Sequence, residues 1–174
     1  MKTIQAPLKR IDIEQLKMGE EVWVSGTVYA ARDAAHKRMA EAIRAGRDLP
    51  FNPEGQIIYY VGPCPAPPGR IIGSAGPTTS GRMDAYAPLL IERGLRVMIG
   101  KGGRDKGVID AMRKYGSVYL VTVGGAGAYL AQRIVTAQIV AYPELGPEAL
   151  YKLEVQDFPC IVAIDAQGHD IYKR

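Results

Sequence analysis

An α/β fold is what this sequence predicts, and three observations carry the expectation. Residues 95–100 and 117–121 are near-continuously apolar rather than alternating, as strands are when a sheet is covered on both faces. Two stretches, 32–45 and 105–115, read as helices, each closed by a glycine, Gly46 and Gly116, at the position just past the last turn. Strands and helices then alternate along the chain, with no internal repeat and no low-complexity tail.

The first strand is EVWVSGTVYA at 21–30, where Val22, Val24 and Val28 share a face. The helix from Arg32 to Ala45 follows, and QIIYYV at 57–62 is the next strand. Pro63-Cys64-Pro65-Ala66-Pro67-Pro68-Gly69 is neither helix nor central strand, because four prolines remove donors and fix φ. RIIGSA at 70–75 reads as a short strand leading into Gly76-Pro77. A helix is expected from Ser80 to Gly94, with Thr79 or Ser80 as N-cap. Pro88 would either kink it or begin a second helix at its first position. The remaining expectations are a partly helical Ala-rich segment at 125–137, one or two closing strands within 153–165, and a turn at Gln167-Gly168.

At 174 residues the chain is expected to form one domain, residues 1–174, with a real core. Its 47% apolar and 23% charged residues are those of an ordinary globular protein. No run approaches the ~20 apolar residues of a membrane helix, and no leader pattern is evident. The cytoplasm is therefore the expected location, with no membrane partner. A net charge of +4, spread rather than massed, argues against nucleic acid and suits an anionic metabolite. Cys64 and Cys160 lie far apart without a C-x-x-C. Two cysteines are too few for a structural zinc site or a cubane cluster, so no metal is expected on this chain.

Three constellations could carry chemistry. Gly76-Pro77-Thr78-Thr79-Ser80-Gly81-Arg82 packs three hydroxyls and a guanidinium at a helix start. The hydroxyls alone could be caps, but a cation in a first turn opposes the helix dipole and is a candidate for ligand binding. In Arg32-Asp33-Ala34-Ala35-His36, positions 32, 36, 39 and 43 share the face that Met39 and Ile43 make the buried one. That cluster is either a capping and salt-bridge set or an anion clamp with His36 as acid/base or orienting group. Gly100-Lys101-Gly102-Gly103 follows a buried strand, where open α/β sheets place ligands. It is not a phosphate-binding P-loop, because Gly94 and Gly100 are one residue too far apart and Gly102 stands where Ser or Thr is needed. Gly125-Ala126-Gly127 is not a dinucleotide fingerprint, because Leu130 replaces the third glycine. Arg32, Arg82 and Lys101 together suit a dicarboxylate.

The blocks RDAAH (32–36), YYVGP (59–63), GPTTSGRMD (76–84), IGKGG (99–103), GGAGA (124–128) and DFPCIVAIDAQG (157–168) resemble the β subunit of class I fumarases. They are similar also to the β subunit of L-tartrate dehydratase. The resemblance covers nearly the whole chain, and GPTTSGRMD is its most specific block. It implies a swivelling β/β/α domain, with a mixed sheet core and flanking helices, rather than a doubly wound sheet. It implies a hydro-lyase that interconverts (S)-malate and fumarate only with a separate α subunit, which would carry a [4Fe–4S] cluster on three cysteines, in an α2β2 assembly or with a β–β dimer. By the same resemblance Arg32, Arg82 and Lys101 contact substrate carboxylates and hydroxyl, with Thr79 and Ser80 beside them. Thr78 takes the C3 proton, Lys101 assists, and Asp33 and His36 support catalysis. Gly125 and Ala126 form a close-packed loop. The alternatives are tartrate dehydration to oxaloacetate and a non-catalytic dicarboxylate-binding module.

Overall fold

A computed structural model describes residues 2–122 and 127–173. Its strands are β1 (Lys2–Gln5), β2 (Glu21–Ala30), β3 (Ile57–Tyr59), β4 (Val97–Gly100), β5 (Val118–Val121), β6 (Ile134–Ala141) and β7 (Leu150–Ile164). Its helices are α1 (Arg10–Glu14), α2 (Asp33–Arg44), α3 (Ala87–Glu92), α4 (Lys106–Tyr115) and α5 (Gly127–Ala131). The class is the expected one: a mixed sheet with flanking helices.

Strands β2, β3, β4 and β5 run parallel as successive neighbours. The long β7 is antiparallel to β5 on one side and to β2 on the other, so β2-β3-β4-β5-β7 close into a five-strand ring. β1 extends β2 in parallel, and β6 pairs with β7. Side chains alternate across this sheet as the pleat requires. Ile57, Tyr59, Val97, Ile99, Val118 and Leu120 join one core with Val28, Leu153 and Val162. Ile58, Tyr60, Met98 and Tyr119 point the other way, under Met39 of α2, Leu90 and Ile91 of α3, and Met112 of α4. Burial on both faces is what the near-continuous apolar runs foretold.

Local chemistry explains the boundaries. Asp105 caps α4 by accepting the Val108 N–H at 3.0 Å, and Gly116 ends it with φ of 84°. The predicted helix over 80–94 is broken instead. Ser80–Met83 forms a single 3₁₀ turn, and α3 begins at Ala87 with Pro88 in its first positions, the second of the two alternatives weighed for that proline. The expected strand at 70–75 does not form. Its backbone pairs back on the proline-rich segment, Cys64 N–H with Ser74 O at 3.0 Å and Gly73 N–H with Cys64 O at 3.1 Å. The Ala-rich segment yields the short α5, but Ile134, Val135, Thr136, Ile139 and Val140 then carry a full strand, as β-branched residues favour. β1 and α1 are too short for periodicity to reveal. The predicted turn is present, with Gly168 at φ of 88° and its N–H on Asp165 O at 2.9 Å.

Candidate active site

Because β2 to β5 are parallel, their C-terminal ends share one edge of the sheet. β2 leads there into Arg32, β3 into Gly62 and β4 into Lys101. The Gly-Pro-Thr-Thr-Ser-Gly-Arg segment is laid across this edge by backbone bonds. Thr78 N–H donates to Tyr60 O at 2.8 Å, Thr79 forms a bridge with Lys101, and Ser80 N–H donates to Lys101 O at 2.9 Å. Three sequence-distant motifs are thereby brought together.

Arg82, half exposed, pairs with Asp33: Nη2 lies 2.9 Å and Nε 3.0 Å from Oδ2. The other oxygen of Asp33 is buried without a partner, and so are Arg32 Nε and His36 Nε2. Buried polar atoms are normally satisfied. Three orphans thus lie on neighbouring residues, beside an exposed arginine. Asp33 does not cap α2, whose N-terminus has no side-chain cap. Of the capping and salt-bridge reading, the cap is not formed and the ion pair runs to Arg82 rather than within the 32–36 cluster.

Arg32 crosses directly over Gly62, where a Cβ would stand 2.5 Å from its Cδ. Its backbone is held by His36, whose Nδ1–H donates to Arg32 O at 2.8 Å. That bond leaves Nε2 as the bare acceptor. His36 is fully buried, and desolvation, helped by the charge of Arg104, lowers its pKa to about 4. At neutral pH it is a neutral acceptor rather than a stored proton. Thr79, Arg82 and Lys101 are exposed and Thr78 is half-buried, so all four are reachable from solvent.

Ser80 stands apart from this set. It is fully buried, with Oγ 2.6 Å from the Tyr119 hydroxyl. Its side chain supports the Lys101 turn from below instead of facing solvent. Gly125 and Ala126 lie outside the described residues. Within the DFPCIVAIDAQG block, Asp165 accepts the N–H groups of Met18, Gln167 and His169 at 3.1 Å each, and Cys160 is buried. Sequence reading missed Tyr60, Asp84, Arg104 and Tyr119, which underlie the site. The available signal was Arg104 directly after the Gly-Lys-Gly-Gly turn. An apolar cavity of about 470 Å³ lined by Trp23, Val121, Tyr129, Leu130 and Cys160 lies apart from all of these cations. None of Arg32, Arg82 and Lys101 lines that cavity.

Residues 2–174 match the family model described as Fumarase C-terminus. This chain belongs to that family. It is 41% identical over 175 residues to the anaerobic class I fumarate hydratase of Escherichia coli (strain K12), covering 98% of this chain and 32% of that protein. It is 39% identical to fumarate hydratase 2 of Leishmania major, covering 98% of this chain and 31% of that one. A putative L(+)-tartrate dehydratase subunit beta of Methanocaldococcus jannaschii is 38% identical over 172 residues, 95% of this chain and 88% of that subunit. The chain thus spans about a third of the fumarate hydratases it matches. Its fumarase-family relatives carry hydratase and dehydratase names, which makes the family one of hydro-lyases. No helix among the described residues is long and apolar enough to cross a membrane.

Proposed function

We propose that this chain is the β subunit, a swivelling β/β/α domain, of a hydro-lyase that interconverts (S)-malate and fumarate at a site completed by an α subunit. The carrying observation is the meeting of Arg32, Asp33, Thr78, Arg82 and Lys101 at one open edge, with three buried polar atoms left unpaired there. Arg32 and Arg82 suit the two carboxylates through charge-assisted hydrogen bonds. Asp33 orients Arg82, and Lys101 offers a point charge to a hydroxyl or carboxylate. Thr78 is the proposed acceptor of the C3 proton. An alcohol is a weak base near neutral pH, so the cation of Lys101, held on the adjoining bridge, would stabilise the alkoxide.

The family resemblance implies a [4Fe–4S] cluster. Among the described residues no three Cys, His, Asp or Glu side chains are grouped to hold a metal, and Cys64 is exposed while Cys160 is buried. These residues do not fit a cluster, so it would be held by the α subunit, and the roles given above belong to this chain alone. An α2β2 assembly in the cytoplasm completes the reading.

The chain combined anaerobically with its cluster-loaded α subunit should convert malate to fumarate, followed by ultraviolet absorbance. Absence of turnover with malate and tartrate alike would sink the proposal. Tartrate dehydration is the second reading, favoured by the match along 88% of a subunit of that name. A substrate panel separates the two. Tight malate binding by the isolated chain in calorimetry would point instead to a non-catalytic dicarboxylate-binding module.

A further inference from the structure

Beneath the exposed cations lies a buried one that the proposed chemistry does not use. The Arg104 side chain is wholly inaccessible. A charge survives in the interior only when paired and hydrogen-bonded, and Arg104 is both. Its Nε donates to Asp84 Oδ1 at 2.7 Å and its Nη2 to the Tyr60 hydroxyl at 3.1 Å, with Nη1 3.5 Å from Met98 Sδ. The guanidinium also lies 5.1 Å and 4.8 Å from the ring centres of Tyr60 and Tyr119.

These partners reach both segments of the candidate site. Asp84 ends the turn that carries Arg82, and its second oxygen accepts the Asp105 N–H at 2.9 Å, which ties that turn to the 101–105 segment. The Tyr119 hydroxyl lies 2.7 Å from Gly102 O and 2.6 Å from Ser80 Oγ. The carbonyl can only accept, so the phenol donates to it and Ser80 donates to the phenol. Gly100 lacks the Cβ that would collide with Ser80 Oγ. Ser80 N–H then holds Lys101 O. The strap is fastened at the front by Ser80 and at the rear by Asp84, with Arg104 between them.

We propose that Arg104 is a positioning residue: its buried charge, acting through Asp84 and the Tyr60–Tyr119 pair, sets where Lys101 stands relative to Thr78 and Arg82. The inference rests on reading those three as the substrate-facing groups. A simply stabilising residue would be replaceable by matched apolar side chains, because a buried ion pair is often no better than well-packed hydrophobes.

The test uses Tyr119→Phe and the paired variant Arg104→Met/Asp84→Leu, which leaves no unpaired charge. Amide hydrogen exchange in the chain alone should show Ser80, whose acceptor Lys101 O is kept in both variants, exchanging at least about tenfold faster, with β5 unchanged. In the α-subunit complex kcat should fall about 10- to 100-fold, as misplacement near 1 Å produces, with KM moving less than about threefold. Wild-type exchange and wild-type kcat in the paired variant would overturn the proposal. So would uniform loss of protection, or failure of the paired variant to fold, either of which would assign Arg104 to stability. If the wild-type complex has no activity, the hydro-lyase reading fails while the exchange data still decide whether Arg104 positions the turn.

Discussion

Gly62→Ala separates the placing of Arg32 from the stability of the fold. Gly62 does not use left-handed backbone, so alanine brings no conformational strain there. The new Cβ would stand 2.5 Å from Arg32 Cδ, 3.0 Å from its Nη1 and 3.3 Å from Pro147 O. The last contact is nearly normal; the first is not. An arginine stem has soft torsions, so Arg32 yields, moving about 1 Å, a displacement of the size that costs about 10²-fold in rate when it occurs in a positioned group. That factor corresponds to roughly 3 kcal/mol of transition-state stabilisation. Stability should change by less than about 1 kcal/mol, since losing glycine entropy in the unfolded chain offsets the crowding. The assay is kcat/KM for malate with the assembled enzyme, beside a thermal melt of the chain. Activity within threefold of wild type would refute the reasoning that the bare Gly62 surface seats Arg32. A large drop in Tm would refute the claim that the side chain gives way cheaply.

Other outcomes follow from the same geometry. Thr78→Ala should lower kcat far more than it weakens substrate binding, and an unchanged kcat removes Thr78 as the base. His36 has a folded pKa of about 4, below its unfolded value, so the unfolded chain binds the proton first. Stability should be fully present above about pH 6.5 and be lost as pH falls toward 4, by roughly 3 kcal/mol in total; His36→Gln should remove that part of the slope in denaturant titrations. Cys64 is exposed, whereas Cys160 is buried and its thiol pushed up by desolvation. A thiol reagent should therefore modify one cysteine per native chain and the second only on unfolding.

Much of the molecule was legible in its residues. The strand at 21–30 and the helices ending at Gly46 and Gly116 follow from alternation and from glycines that close a helix, which are local effects. The break before Pro88 was foreseeable because proline suits a first turn and disrupts an interior. Residues 70–75 misled because their apolar character serves to pack a loop whose backbone pairs with the proline segment. β6 was hidden by alanines beside it, and only pairing with β7 selects the strand.

The candidate site divides in the same way. Residue type and neighbouring glycines were enough to single out the hydroxyls of 78–80, Arg82 and Lys101, the helix face shared with Met39 and Ile43 singled out Arg32, and Thr78 was set apart from the other hydroxyls by the family resemblance alone. The chain alone could not show that Asp33 pairs with Arg82 across 49 residues, nor that His36 is neutral, nor that Ser80 faces inward to Tyr119. Those facts depend on closure of the β2-β3-β4-β5-β7 ring, which brings the strand ends to one edge and buries Arg104 beneath them. Sequence determines where a helix or strand can start and stop, because those choices rest on torsions and caps within a few residues. Tertiary structure decides which charges meet and which lose water, because desolvation is set by everything packed around a group.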